Sequence, residues 1–141
     1  MKGFTGPIMM IGMLVAADVP AGDTQRIQGT WALVSSESDG VSRPPESIKG
    51  GKVLMIFEGD QLIAKLEGRS TVLGTFALDP TKMPKAYDRT YPDGSPRQGI
   101  YELEGETLKI CIAAVGKDRP TAFATKPGDG ASLLVYKREN P

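Results

Sequence analysis

The sequence predicts an all-β fold, an up-and-down antiparallel β-barrel of about eight strands with little helix. Three observations carry that expectation. Short runs in which apolar and polar residues alternate recur from Trp31 to Glu139. Turn residues separate these runs at near-regular spacing, and the 17 glycines and 11 prolines are spread along the chain as punctuation. Almost no stretch of helical periodicity interrupts them. Consecutive hairpins favour a meander, and closing the meander removes the exposed edges that invite aggregation.

Residues 1–17 read as a secretory signal peptide. Lys2 precedes an apolar run from Ile8 to Ala17, shorter than the roughly 20 residues a membrane-spanning helix needs. A charged start, a short apolar core and a small-residue exit fit a signal. Val15-Ala16-Ala17 places cleavage after Ala17, and Val19-Pro20-Ala21 offers a second site. Gly6, Pro7 and Gly12 argue against a helix packed on the domain. No cysteine stands near the junction to take a lipid. The expected product is exported, periplasmic or extracellular, with no stable membrane insertion once the signal is removed.

Residues 18–28 form a lead-in, where Asp23 or Thr24 caps one helical turn ending at Gly29. The barrel domain spans 29–139. Its first strand, Trp31 to Ser38, puts Trp31, Leu33 and Ser35 on one face, and Asp39-Gly40 turns the chain. Residues 41–51 are a loop with one helical turn at Glu46 to Lys49. Lys52 to Phe57 and Gln61 to Leu66 form a hairpin about Glu58-Gly59-Asp60. The next strand, within 69–80, carries Val72, Gly74, Phe76 and Leu78 on one face and stops at Pro80, which has no N–H for the ladder. A short strand follows at Ala86 to Thr90. Gln98 to Leu103 and Thr107 to Ile112 flank Glu104-Gly105-Glu106 in the clearest hairpin. Residues 121–125 read as a short strand, 126–130 as a turn, and 131–139 as the last strand.

The composition excludes several functions. The 17 Lys and Arg balance 17 Asp and Glu, so the basic footprint of a nucleic-acid binder is missing. There is no histidine. That removes the commonest general base, the histidine triads and every histidine-containing zinc site. The single cysteine, Cys111, sits in "LKICIA" and reads as a small buried hydrophobe. No catalytic residue, metal site or cofactor is assigned. Glu102, Glu104 and Glu106 read as a solvated hairpin tip, and Asp79, Asp88 and Asp93 lack the spacing of a calcium loop. Lys82 and Lys85 either bind an anion or flank a loop tip at the barrel mouth. Leu33, Met55, Phe57, Phe76, Leu78, Tyr101, Leu103, Ile110, Leu133 and Val135 suit a barrel lining. Phe57, Phe76 and Tyr101 are the candidate ligand contacts among them. Arg119 either ties a loop to backbone carbonyls or meets a ligand carboxylate.

Three ordered stretches, "IQGTWALVSSESDG", "GTFALDPTKMPKAYD" and "GIYELEGETLKICIAAVGKDRPTAF", resemble an uncharacterised, often exported domain family found chiefly in planctomycete bacteria and regarded as lipocalin-like. The likeness spans about residues 25–139. It implies a lipocalin-like barrel. Gly29-Thr30-Trp31 looks like the glycine-x-tryptophan signature at the first lipocalin strand, whose indole plugs the closed end. By that likeness a basic residue of the last strand, Arg138, lies across the ring, where a guanidinium can stack.

The sequence therefore leads to two expectations. One is a non-enzymatic exported protein that binds a small apolar or amphipathic ligand in the barrel. The other is an interaction or envelope-associated module with a filled core, meeting another envelope protein through loops 41–51 and 80–97.

Overall fold

A computed structural model describes residues 22–43 and 52–139. The expected signal peptide, its cleavage sites and the helical turn at Glu46 to Lys49 lie outside these residues. Among the described residues one short helix, α1 (Asp23–Arg26), precedes nine strands: β1 (Gly29–Ser38), β2 (Val41–Arg43), β3 (Val53–Glu58), β4 (Gln61–Leu66), β5 (Arg69–Asp79), β6 (Ala86–Thr90), β7 (Pro96–Glu104), β8 (Thr107–Ile112) and β9 (Ser132–Arg138). From β3 onward each strand pairs antiparallel with the next, and β1 pairs with both β3 and β9. That closes an antiparallel barrel of eight strands. β2 pairs only with the far end of β1, past the point where β3 stops.

The tight turns follow from residue chemistry. Asp39-Gly40 and Glu67-Gly68 both have positive φ at both positions (53° and 78°, 52° and 79°). That backbone twist matches the flanking strands in a two-residue hairpin. At Gly74, φ is +124° and an added Cβ would lie 1.9 Å from the Thr90 carbonyl oxygen. Only glycine lets β5 cross so close to the end of β6.

Two bulges shift which residues face inward. A register shift between Leu33 and Ser35 brings Ser36 opposite Leu134, so Ser35 leaves the face of Trp31 and Leu33. A second shift, in the β4–β5 ladder past Leu62, packs Leu73 against the core and leaves Val72 half exposed. The sequence places Ser35 and Val72 on the inner faces; the bulges overturn both. The last strand is also out of phase with expectation. Leu134 and Tyr136 face the core, and Leu133 and Val135 do not. The run Leu133-Leu134-Val135-Tyr136 is apolar throughout, so alternation gives it no phase.

The interior is filled by Trp31, Phe57, Leu62, Phe76, Tyr101, Leu108 and their neighbours. Each such side chain contributes about 1.5–3 kcal/mol on leaving water. Phe57 and Phe76 meet edge to face at 5.0 Å between ring centres. A second buried layer lies on the outer wall. Ile100 and Cys111 are fully buried there, beneath the long segment 113–131. The Cys111 thiol contacts the Ala124 carbonyl at 3.6 Å, and the Thr125 hydroxyl donates to Glu37 at 2.6 Å. The strand expected at 121–125 does not form. Pro120 and Pro127 bracket it, and side-chain bonds to the barrel wall take the place of a ladder.

Candidate functional site

The two ends of the barrel are built differently. At the lower end, α1 lies across the opening. Trp31 is fully buried and donates its indole N–H to the Ile27 carbonyl at 2.8 Å. The Arg138 guanidinium stacks 4.2 Å from the ring centre and donates to the carbonyls of Arg26 and Gln28. Gly29, at φ +114°, leaves room for that side chain: an added Cβ would lie 3.2 Å from the Arg138 Nη1. The structure thus brings Gly29, Trp31 and Arg138 together. The Gln28 side chain ties the helix to the β3–β4 turn, accepting from the Gly59 N–H at 2.7 Å and donating to its carbonyl at 2.9 Å.

Asp23 fastens the other side. Its carboxylate accepts from the Tyr101 hydroxyl at 2.6 Å, Lys85 Nζ at 2.9 Å and Arg26 Nη1 at 2.9 Å. Burial raises the pKa of this carboxyl, but the bonds from Tyr101 and Lys85 and the nearby cations outweigh it. The net pKa lies below the ordinary carboxylate value. The Asp23 side chain therefore does not cap α1; Gly22 holds that position, with no side-chain hydrogen bond. Tyr101, expected as a ligand contact, spends its hydroxyl on Asp23, and Phe57 and Phe76 spend their rings on each other.

Arg119 sits on the outer wall. It donates to the Gly99 carbonyl at 2.8 Å and pairs with Asp88 at 2.8 Å, tying segment 113–131 to β6 and β7. Of the other carboxylates, Asp79 accepts from the Thr81 hydroxyl at 2.6 Å and Asp93 from the Ser95 N–H at 2.8 Å. Both serve turns. Among the described residues no group of three or more histidine, cysteine, aspartate or glutamate side chains is placed to hold a metal.

The upper end carries a polar cluster of another kind. On β6, Tyr87 belongs to the core, so Arg89, two residues on, shares its inward face. Arg89 pairs with Arg97 across β6 and β7, and with Phe76 across β5 and β6. The Arg89 guanidinium lies 4.6 Å from the centre of the Tyr91 ring. Arg97 donates to the Ala113 carbonyl at 2.6 Å and to the Tyr91 hydroxyl at 3.2 Å. Tyr136 enters from β9 and is 2% exposed, as is Tyr87. Burial raises the pKa of both phenols, and the charge of Arg89 acts on both in the opposite sense. Sequence reasoning missed this cluster. The signal was present in "AYDRTY", where Tyr87 and Arg89 stand two apart on one face of β6 and Tyr91 follows just past its end.

Beyond this cluster the β4–β5 hairpin continues past the end of β6. Its inner side, with Ala64, Leu66, Thr71 and Leu73 and with Glu67 and Arg69 at the tip, bounds an open concavity of about 720 Å³. A second groove, of about 600 Å³, lies low on the outside between the Pro80–Lys85 loop and Phe123. No family model, curated protein or solved structure matches the chain.

Proposed function

We propose that this chain is a non-enzymatic, exported, lipocalin-like binding protein that takes a small apolar or amphipathic ligand at the mouth of its barrel. The observation that carries the reading is the apolar inner side of the β4–β5 hairpin. Leu66 there is 44% exposed, and Leu73 joins that side to the core. A concavity of this size suits a small organic molecule, whose pockets span roughly 300–1,000 Å³. The lower barrel is closed by its own side chains, so the ligand seat lies above them. A non-enzymatic role agrees with Asp79, Asp88 and Asp93 each being engaged in a turn or an ion pair.

Titration with the neutral dye N-phenyl-1-naphthylamine tests this. The expected result is a saturable, blue-shifted emission that Leu73→Glu weakens by about tenfold, since a carboxylate on that surface opposes an apolar ligand. No saturable emission from folded protein removes the reading.

One observation favours the second reading, an interaction or envelope-associated module. Met83 is 96% exposed at the rim of the lower groove, and a large exposed apolar side chain beside a groove suits a protein contact. Native mass spectrometry of protein taken from its own cells separates the two: a small added mass supports the first, a retained protein the second.

A further inference from the structure

The upper cluster is a set of donors without an anion. Arg89 and Arg97 face each other directly across neighbouring strands, an arrangement that like charges destabilise. Among the described residues neither forms an ion pair with a carboxylate. The Arg89 Nε is buried and has no hydrogen-bond partner. Buried polar atoms are normally partnered, so an orphaned guanidinium N–H marks a place where an acceptor belongs.

The tyrosines reinforce the pattern. Tyr87 and Tyr136 are buried in the same core cluster, and the charge of Arg89 acts on both phenols. The Tyr91 hydroxyl accepts from Arg97, which leaves its own proton to donate. Two guanidinium groups and three phenol O–H groups thus gather where no carboxylate answers them. Such a set matches a group that only accepts, and a carboxylate or phosphate is that group. The carboxylates nearest in sequence are occupied elsewhere. Asp88 faces the outer wall, with its Oδ1 2.8 Å from the Arg119 Nη2, and Asp93 binds its own turn.

Resting on the mouth-binding reading, we propose that the ligand is an amphipathic anion whose acceptor-only headgroup is held by Arg89 and Arg97 with the hydroxyls of Tyr87, Tyr91 and Tyr136. Its apolar body lies along the inner side of the β4–β5 hairpin. The register supports that placement. Phe76 is opposite Arg89 on β5, and Leu73 lies three residues further toward the hairpin tip. Headgroup and tail would therefore be read by neighbouring stretches of one wall.

Isothermal titration of the full chain with dodecanoate, dodecyl phosphate and dodecanol tests the proposal, because the three share a tail and differ in the head. The expected result is that at least one anion binds about tenfold or more tightly than the alcohol, as hydrogen bonds to a charged group would give. Which anion leads identifies the headgroup. Arg89→Met should erase the difference without weakening dodecanol. Tyr136→Phe should reduce it while keeping the ring in place. Equal binding of all three probes overturns the anionic headgroup and leaves the apolar reading standing. No binding of any probe, together with failure of the neutral dye, overturns both. The comparison within the unmodified protein decides the matter even if a variant misfolds.

Discussion

The two ends of this barrel use the same residue types to opposite ends. At the lower end an arginine stacks on an aromatic ring and spends its N–H groups on two carbonyls. A tyrosine donates to a carboxylate that two cations also hold. Polar groups there have partners within the chain. At the upper end an arginine also stacks on an aromatic ring, yet its buried Nε has no acceptor. The lesson concerns allocation: satisfied groups hold a fold together, and unsatisfied ones are available to a ligand.

The largest test of that contrast is Trp31→Ala. Removing a fully buried indole should cost about 3–5 kcal/mol in denaturant unfolding, through lost burial and a cavity. Unchanged stability would mean that the indole does not close the lower end. Gly74→Ala comes next. Its methyl would meet the Thr90 carbonyl at a φ of +124°, and strain with overpacking should cost about 2–4 kcal/mol. The site stands between the two ends, so a large effect there shows that the β5–β6 crossing holds the hairpin in position.

Asp23→Asn should cost about 1–2 kcal/mol at neutral pH, because two cations lose their partner. The pH dependence sharpens the assignment. The folded pKa of Asp23 is lowered, so the folded state favours the ionised form. Its contribution is fully present above the unfolded value of about 3.9 and is lost as pH falls through the lower folded value. The stability gap between wild type and variant should therefore narrow in acid. A gap that widens in acid would show that burial, not the ion pairs, governs this carboxyl.

Much of the barrel was legible in the sequence because strands separated by glycine turns leave few alternatives. The Glu104–Glu106 hairpin and the run of the β3–β4 pair stand where alternation puts them. Phase was less legible than position. Bulges at Leu33/Ser35 and Leu62/Ile63 each invert the pattern, and nothing in the neighbouring residue types announces an extra residue. The lower site was readable only through the resemblance, which pointed to Gly29, Trp31 and Arg138. Its other half was not, because Asp23, Lys85 and Tyr101 meet across distant segments. The upper cluster had a local signal in Tyr87, Arg89 and Tyr91, but charged residues in a strand ordinarily point to water. Only the closed topology turns their face inward.

The smallest expected effect separates the two arginines of the mouth. Arg97 holds the Ala113 carbonyl at 2.6 Å, so Arg97→Met should cost about 1 kcal/mol. Arg89 holds no carbonyl or carboxylate among the described residues, and it faces a like charge. Arg89→Met should therefore change stability by no more than about 0.5 kcal/mol, and in the direction of a gain, since it relieves a cross-strand repulsion. Salt gives an independent check. Added sodium chloride screens the pair, so it should raise the melting temperature of wild type more than that of Arg89→Met. If Arg89→Met instead destabilises as Asp23→Asn does, Arg89 is a structural residue like Arg138, and the two ends of the barrel are alike after all.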